Sequence, residues 1–548
     1  MTDHNTILLL VPELVLALMA VLLLLGSSLV QGRGSWLPFA VGSFLVAAYA
    51  AYRQDLALVG DGWLTAQMVG ATSGPLLVDT LGHAVRWAAL LFGFLLVISA
   101  AGQDRRKLSG EYFGLLLLVT VGLMLVGVAG DLVLLFLGLE LISIPTYVLL
   151  FIGSRNSASS EATLKYFFLS ILSSALLLYG LSFLYGLAGS TSLVDIHGAL
   201  AAAVETRGTG GLWPLGGFAV ALVFAGIGFK LAIVPFHFYA PDVYQGTTNA
   251  NAGLLAVVPK IAGVVTITRL LVYAMPGYEQ LGWKIALVIA LLTMTLGNVT
   301  ALWQDHLRRL LAYSSIAHAG YMFVGLTVGL AAVGRGFTGA DYTGADGVAA
   351  MFFYLLVYSI ATVGTFACLI CLEGGSSETA RVRDLSGLAQ SRPWVAGCLA
   401  VFMFSLAGIP PLAGFWGKFS LFSGTILLAG GGDRVSPWLV ILAVVGMLNA
   451  AISAAYYLRI VGVMFFTSGA KTWSDRGSAG ASVAMIASAV LVIALGLLPG
   501  PAMQSARIAA DAVQAGGLKS RAEAHRAKGE ASPQISSQRL PVTTGPGF

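Results

Sequence analysis

Long apolar stretches separated by short polar loops dominate this sequence. Windows of about 20 apolar residues, the length with which a helix crosses ~30 Å of hydrocarbon, recur along nearly the whole chain. We count fourteen of them, at residues 7–28, 36–52, 83–101, 112–129, 132–152, 165–188, 216–238, 248–273, 284–303, 308–330, 347–372, 393–428, 437–466 and 482–503. The pattern predicts an all-α polytopic membrane protein with fourteen transmembrane helices.

The composition indicates that a lipid bilayer is the solvent of this chain. Hydrophobic residues make up 57% of the 548 residues and charged residues only 10%, whereas soluble domains carry about 25% charged residues. The formal net charge of +5 arises from basic residues scattered through short loops. No nucleic-acid partner is therefore expected.

Neither cysteines nor nucleotide motifs suggest a cofactor. Cys368, Cys371 and Cys398 all lie in apolar windows, and three thiolates cannot complete the four-cysteine shell of a usual iron–sulfur cluster. The sequence contains no P-loop and no Rossmann glycine turn after a strand. We expect no cofactor and no metal in this chain.

Prolines interrupt the predicted spans at defined places. Pro235 lies near the end of the seventh window, Pro259 in the middle of the eighth, and Pro410 and Pro411 in the twelfth. Proline removes an amide donor, and inside a bilayer the freed carbonyls persist only where protein or water satisfies them. The seventh and twelfth windows are therefore predicted to be broken helices, and their separation by five windows indicates an internal repeat of five helices.

Several charged or titratable residues lie inside the apolar windows. A lysine or aspartate at a span centre costs on the order of 2.5–3.5 kcal/mol by insertion scales, so such residues usually face protein or water. The candidates are Glu140, Lys165, Lys230, Lys260, His318 and Lys418, with His237 at the predicted break as a weaker one.

Each candidate also has a structural interpretation. Glu140 and Lys230 could form a buried ion pair that holds two helices together, which leaves Lys260 and Lys418 unexplained. Lys165 could extend to the interface, and His318 and His237 could be hydrogen-bonded core histidines. Arg86 and Arg269 lie near window ends, where extension to the interface is expected.

Several lysines in one membrane interior suggest proton carriers. Burial lowers the pKa of a lysine and a nearby carboxylate raises it, so that the lysine can switch between its two protonation states. Arginine lacks this property. Moving a charge that lies ~8 Å from a titratable site, in an effective dielectric of ~20, changes the free energy of protonating that site by about 2 kcal/mol. Outward transfer of a proton needs about 2.3 kcal/mol per 100 mV. Without a nucleotide site, the chain must be driven from outside itself.

The loop charges predict an orientation. Twelve basic residues collect on one side, at positions 33, 105, 106, 107, 155, 308, 309, 381, 383, 392, 471 and 476, against five on the other, at 53, 207, 284, 335 and 434. The first side should be cytoplasmic, so both termini should face outward. In this frame Lys165 lies toward the cytoplasm and Lys418 toward the outside.

Four segments carry a resemblance to a known family: Pro235-Phe-His-Phe-Tyr-Ala-Pro-Asp-Val-Tyr-Gln-Gly246, Val258-Pro-Lys-Ile-Ala-Gly263, Asp305-His-Leu-Arg-Arg-Leu-Leu-Ala-Tyr-Ser-Ser315 and Ser405-Leu-Ala-Gly-Ile-Pro-Pro-Leu-Ala-Gly-Phe-Trp-Gly-Lys-Phe419. They resemble the antiporter-like subunits of bacterial respiratory complex I, the NADH:quinone oxidoreductase. Lys418 resembles the N subunit, since the related M subunit carries glutamate there.

The resemblance implies a division of the chain. Residues 1–111 would hold the first three spans, 112–275 and 276–470 two inverted five-helix repeats with one broken helix each, and 471–504 the last span. Residues 505–548 form a polar tail, which we expect to be poorly ordered.

The resemblance also implies a proton-translocating subunit of the bacterial plasma (inner) membrane, driven by quinone reduction in other subunits. Glu140 and Lys230 would be a coupled pair with Lys165 as a modulating neighbour, Lys260 the central relay, and Lys418 the outer exit. His318 would connect the halves. Other membrane-arm subunits, protons and internal water would be the partners, and FMN and iron–sulfur clusters would reside in partner subunits.

Three alternatives stay open at this point. The chain could belong to a multisubunit cation/proton antiporter or a membrane-bound hydrogenase, for which sodium dependence would be the sign. It could be a membrane-embedded transferase with His237, Asp242 or Glu140 as a base. It could also be a proton-silent scaffold, in which Lys260 would be replaceable.

Overall fold

The computed structural model describes residues 2–29, 36–59, 72–101, 110–153, 157–207, 214–334, 346–373, 380–430, 436–468 and 478–527. The first helices are α1 (Thr2–Leu9), α2 (Val11–Leu29), α3 (Leu37–Val59), α4 (Thr80–Ala100), α5 (Gly110–Val128), α6 (Leu132–Gly153), α7 (Ser157–Ala188), α8 (Leu193–Arg207), α9 (Pro214–Leu231) and α10 (Ala240–Gly246). A hairpin of two short antiparallel strands, β1 (Thr72–Ser73) and β2 (Leu76–Leu77), precedes α4.

The second part of the chain continues with α11 (Asn249–Ile267), whose end widens into a π-helical segment, Thr268–Ala274. The remaining helices are α12 (Glu279–Leu302), α13 (Leu307–Val333), α14 (Gly347–Leu372), α15 (Leu388–Ser391), α16 (Pro393–Ala407), α17 (Ala413–Gly430), α18 (Pro437–Phe466), α19 (Ala479–Leu497) and α20 (Gly500–Ala527). A short 3-10 helix, Val382–Leu385, precedes α15.

Twelve helices of the described ranges are long and apolar enough to cross a membrane: α2, α4, α5, α6, α7, α9, α11 with its π-helical end, α12, α13, α14, α18 and α19. They coincide with twelve of the predicted windows. The other two windows correspond to α3, which carries Arg53 and Asp55 near its end, and to the pair α16 and α17, of which α16 is a shorter apolar helix. The prediction of an all-α polytopic membrane protein is confirmed, and the inverted repeats stay a prediction.

The helices differ in how far the protein itself covers them. In α11 and α14, 94% of the apolar window is buried, and in α13 89%, whereas the value is 28% in α2 and 33% in α18. A helix that is apolar on all sides suits either a protein interior or a lipid contact. The fold therefore centres on α11, α13 and α14, and two of the charged or titratable candidates, Lys260 of α11 and His318 of α13, lie on these helices.

Both predicted helix breaks are present. α9 ends at Leu231, and Ala232 takes a left-handed conformation with φ 54° before Pro235. α16 ends at Ala407, followed by Gly408 with φ 89° and by Pro410 and Pro411. Pro259, in contrast, lies inside α11, which continues on both sides of it. Proline alone therefore did not break the helix, because the neighbouring helices hold α11 on all sides.

Two arginines that we expected at the interface are buried instead. Arg86 in α4 is 1% exposed and binds Glu13 at 2.6 Å and the Leu9 carbonyl at 2.8 Å. Arg269 is 0% exposed and makes two bonds, of 2.5 and 2.7 Å, to the Asp79 carboxylate. A planar guanidinium suits such paired acceptors. The Arg86 pair joins α4 to α2 within the first spans, and the Arg269 pair joins the start of α4 to the π-helical end of α11.

The start of the polar tail is helical, because residues up to Ala527 belong to α20, and the expectation of a poorly ordered tail stays a prediction. Ala506, Ala509, Ala510 and Val513 of α20 are buried, and the Thr80 hydroxyl donates to the Ile508 carbonyl at 3.0 Å. Small side chains at helical spacing let α20 pack on α4 and α14. Residues 528–548 lie outside the described part of the chain.

Nine of the basic residues that oriented the sequence also lie outside the described residues: Arg33, Arg105, Arg106, Lys107, Arg155, Arg335, Arg434, Lys471 and Arg476. The orientation of the termini therefore stays a prediction.

Candidate functional site

The first buried charge pair joins α6 and α9. The Lys230 ammonium lies 3.7 Å from the Glu140 carboxylate and donates to the Ser143 hydroxyl at 2.8 Å. The Ser174 hydroxyl of α7 donates to Glu140 at 2.5 Å. Lys230 is 5% and Glu140 22% exposed in their side chains. A carboxylate beside an ammonium in a largely buried site can hold a mobile proton in either of two arrangements.

Lys260 of α11 is 1% exposed and bound only by neutral oxygens. Its ammonium donates to the Ser315 carbonyl at 2.7 Å and to the Leu231 carbonyl at 3.1 Å. Leu231 is the last residue of α9, and the residue four positions later is Pro235, which has no amide hydrogen to offer that carbonyl. The broken helix therefore presents a free carbonyl at its negative end, and Lys260 occupies it.

Lys418 of α17 repeats this arrangement at the second broken helix. Its ammonium donates to the Ala407 carbonyl at 2.9 Å and to the Ser453 hydroxyl at 3.2 Å. Ala407 is the last residue of α16, and Pro411 stands four positions after it. Gly408 lies so close that a β-carbon on it would come within 3.0 Å of the Lys418 side chain. The ammonium also lies 5.0 Å from the centre of the Tyr321 ring, a cation–π contact.

His318 of α13 lies between these two lysines in a group of tyrosines. One ring nitrogen, Nδ1, is 2.5 Å from the Tyr354 hydroxyl, and the other, Nε2, is 2.9 Å from the Tyr457 hydroxyl. The ring centre is 4.9 Å from that of Tyr358 and 5.9 Å from that of Tyr321. A histidine with a hydroxyl on each nitrogen can accept a proton on one side and release it on the other.

Tyr358 and Tyr321 connect His318 with the lysines. The Ser315 hydroxyl is 2.8 Å from the Tyr358 hydroxyl, and the Lys260 ammonium is 5.8 Å from the Tyr358 ring centre. The Tyr321 hydroxyl accepts from Asn298 at 3.0 Å. Our sequence interpretation did not include these tyrosines. Their signal was the helical spacing: Tyr321 follows His318 by three residues, and Tyr354 precedes Tyr358 by four.

Lys165 lies apart from the other candidates. Its ammonium is 2.7 Å from Glu161 and 2.8 Å from Asp242, and its side chain is 40% exposed. The structure therefore brings together Glu140 with Lys230, and Lys260 with His318 and Lys418 through the tyrosines, but it does not bring Lys165 to Glu140.

His237 lies on the segment between α9 and α10. Its Nδ1 is buried without a hydrogen-bond partner, and in the described ranges no hydrogen bond joins it to the six stronger candidates. Asp242 pairs with Lys165 and Arg309, while Glu140 pairs with Lys230. The three residues considered as a transferase base thus lie in three different surroundings.

Across the ranges that the structure describes, no three histidine, cysteine, aspartate or glutamate side chains come together as a metal site. Cys368 and Cys371 are buried free thiols, and Cys398 is a free thiol that is partly exposed.

Residues 129–453 match the transmembrane family described as NADH:quinone oxidoreductase/Mrp antiporter. The NADH-quinone oxidoreductase subunit N of Trichlorobacter lovleyi is 34% identical over 507 residues, which cover 90% of this chain and 95% of that protein. The subunit N of Methylobacterium nodulans is 35% identical over 506 residues, with 91% and 96% covered.

Solved structures share the fold. A chain of respiratory complex I from Thermus thermophilus with bound aureothin has a TM-score of 0.70 at 30% identity and covers 90% of this chain and 98% of its own length. A chain of the Mrp complex from Dietzia sp. DQ12-45-1b has a TM-score of 0.76 at 21% identity, with 95% and 99% covered, which shows similarity of fold alone. The protein therefore belongs to the NADH:quinone oxidoreductase/Mrp antiporter family, among the NADH-quinone oxidoreductase subunits N.

Proposed function

We propose that this chain is a proton-translocating membrane-arm subunit of a respiratory NADH:quinone oxidoreductase. Glu140 and Lys230 form the first site and share a proton between them. Lys260 and His318 carry protons through the centre, and Lys418 releases them. Lys165 modulates the first site, and His237 is a weaker candidate. The chain acts within the bacterial plasma membrane with both termini outside, next to other membrane-arm subunits.

The observation that supports this proposal best is the continuous group that runs from Lys260 to Lys418. Ser315, Tyr358, His318 and Tyr321 fill the space between the two ammonium groups with hydroxyl and imidazole groups. Three of these four side chains, Tyr358, His318 and Tyr321, are titratable, and a group that served only to anchor helices would not need them. Lysines held by carbonyl dipoles instead of carboxylates can also lose their proton without leaving an unpaired anion behind.

The energy for outward transfer comes from elsewhere. Each proton needs about 2.3 kcal/mol per 100 mV, and we expect quinone reduction in other subunits, which hold FMN and iron–sulfur clusters, to supply it. In this chain the coupling would work by moving charged groups, because one charge moved at ~8 Å changes the free energy of protonating a site by about 2 kcal/mol. Internal water completes the path where side chains leave gaps.

Replacement of Lys260 by methionine tests the proposal. Inside-out vesicles carrying Lys260→Met are checked for assembly of the complex, and NADH oxidation and ΔpH formation are then measured together. Both rates should fall at least about tenfold, since the loss of one central charge is worth about 2 kcal/mol.

Lys284→Met is the matched control, because Lys284 is an exposed lysine at the start of α12. It should leave both rates unchanged. Wild-type rates in assembled Lys260→Met would contradict the relay and favour the scaffold alternative.

A second candidate function is cation/proton antiport. The family name includes the Mrp antiporters, and a chain of an Mrp complex has the same fold. Under this alternative, ΔpH formation in the same vesicles would depend on sodium. A ΔpH that is the same in sodium-free and sodium-containing buffer favours the respiratory role.

A further inference from the structure

Asp242 is shared by two cations from different parts of the fold. It lies on α10, the short helix between the break after α9 and the start of α11. One carboxylate oxygen is 2.8 Å from the Lys165 ammonium of α7, and the other is 2.6 Å from the Arg309 guanidinium of α13. A second carboxylate, Glu161, binds Lys165 at 2.7 Å from one helical turn away.

These contacts keep Lys165 away from the first site. Lys165 lies nine residues before Ser174, the α7 residue that donates to Glu140. At 1.5 Å per residue, nine residues correspond to roughly 13 Å along the helix. A lysine side chain reaches roughly 6 Å in either direction from its backbone. The position of the ammonium therefore decides whether Lys165 acts on Glu140 strongly or weakly.

Asp242 is also linked to the central group of residues. Arg309 precedes Ser315 by six residues and His318 by nine on α13, and its neighbour Arg308 donates to the Thr247 carbonyl at the end of α10 at 2.8 Å. The break that leads into α10 begins directly after Leu231, next to Lys230. A shift of α10 would thus be felt by Lys165, by Lys230 and by α13 together.

Resting on the proposed function, we propose that Asp242 is a positioning residue that decides where the charge of Lys165 lies. With α10 in the observed place, Asp242 and Glu161 hold the ammonium at the start of α7. When α10 moves, Lys165 is released toward Glu140, while Arg309 continues to neutralise Asp242. The carboxylate thereby times the effect of Lys165 on the Glu140 and Lys230 pair.

The charge state of Asp242 fits this role. Burial raises the pKa of its carboxyl group, but hydrogen bonds and charges from Lys165 and Arg309 outweigh burial and hold the pKa below its ordinary value. Asp242 therefore stays ionised at neutral pH. Its side chain is 36% exposed, so its contribution is to position a charge and not to stabilise the fold strongly.

The test uses Asp242→Asn in the assembled complex, with NADH-driven ΔpH formation measured across a pH series. We expect the rate to fall about tenfold and the pH optimum to move by about one unit, the size of effect that one displaced charge produces. Asp242→Glu, which keeps the charge, should restore most of the rate. Asp195→Asn is the matched control, since it removes the same charge from an exposed carboxylate of α8 outside these contacts, and should change the rate less than about twofold.

A double-mutant cycle identifies the residue through which Asp242 acts. In a Lys165→Met background, Asp242→Asn should add no further loss, because the charge it positions is gone. Independent, multiplying effects would overturn the proposal, as would a wild-type rate and pH profile in Asp242→Asn alone.

Two outcomes keep the inference separate from the function itself. If Lys260→Met abolishes ΔpH formation while Asp242→Asn does not, only the role of Asp242 fails. If Lys260→Met is silent, the relay fails first. If the Asp242→Asn complex does not assemble, Arg309→Gln is used instead. Without Arg309, the departure of Lys165 would leave the Asp242 carboxylate with no cation, so Lys165 should be held more firmly. We expect Arg309→Gln to slow ΔpH formation, and to cause no further slowing when Lys165 is already methionine. A wild-type rate in Arg309→Gln would overturn the proposal.

Discussion

Lys230 lies on α9, just before the first break, and Lys418 on α17, just after the second, yet different groups stabilise their charges. Lys230 faces the Glu140 carboxylate at 3.7 Å. Lys418 has a helix-end carbonyl, a serine hydroxyl and a tyrosine ring around it. At the first site the Lys230 charge is balanced by the full charge of a carboxylate. At the second site, around Lys418, the charge is balanced by dipoles alone. A charge balanced by dipoles is easier to remove, because no opposite charge is left unpaired.

This difference suggests a direction for the relay. Under the proposed relay, a proton is held at the Glu140 and Lys230 pair and is released most easily at Lys418. Lys260 resembles Lys418 in this respect, since both ammonium groups occupy the free last carbonyl of a broken helix. The two breaks therefore supply the binding sites for the lysines, in addition to interrupting the spans.

The largest effect is expected from Glu140→Gln, which turns the first site into a site of dipoles. Removing one partner of a buried pair costs about 3–5 kcal/mol, so NADH-driven ΔpH formation should fall roughly a hundredfold or more. Glu140→Asp, which keeps the charge, is the control and should retain much of the rate. A Glu140→Gln complex with normal ΔpH formation would show that the two sites do not differ in the way described.

A smaller effect is expected from Ser453→Ala, which removes one of the two oxygens on Lys418. A hydrogen bond of this kind contributes about 1–2 kcal/mol, so ΔpH formation should fall roughly fivefold to thirtyfold. Ser143→Ala is the matched change at Lys230, where Glu140 remains as a partner, and should lower the rate less. Equal losses in the two variants would mean that the carboxylate does not protect the first site.

The smallest effect on turnover, but a measurable one on stability, concerns the helix ends. Gly408→Ala places a β-carbon at φ 89° and within 3.0 Å of the Lys418 side chain. A left-handed residue other than glycine costs about 1–2 kcal/mol, so the thermal midpoint of the purified complex should fall. Ala232→Gly relieves the corresponding conformation, φ 54°, and should raise it. A change of the same sign in both variants would contradict the equivalence of the two breaks.

Local patterns in the sequence were sufficient to locate the helices. Apolar windows and prolines are signals that depend only on residues close together in the sequence. The spans and both helix breaks could therefore be predicted from the chain alone. Pro259 is the exception, because helices distant in the sequence enclose α11 and keep it continuous through the proline. The start of the tail is another, since α20 is helical through its packing on α4 and α14.

The sequence by itself determined that this is a helical membrane protein with lysines, a glutamate and a histidine in its apolar interior. It did so because hydrophobic periodicity and the cost of a charge in lipid are properties of short segments. Only the tertiary structure decided which of these residues meet. Lys165 lies with Asp242, 77 positions away, and His318 with Tyr457, 139 positions away. Such contacts follow from the packing of whole helices, and no local pattern encodes them.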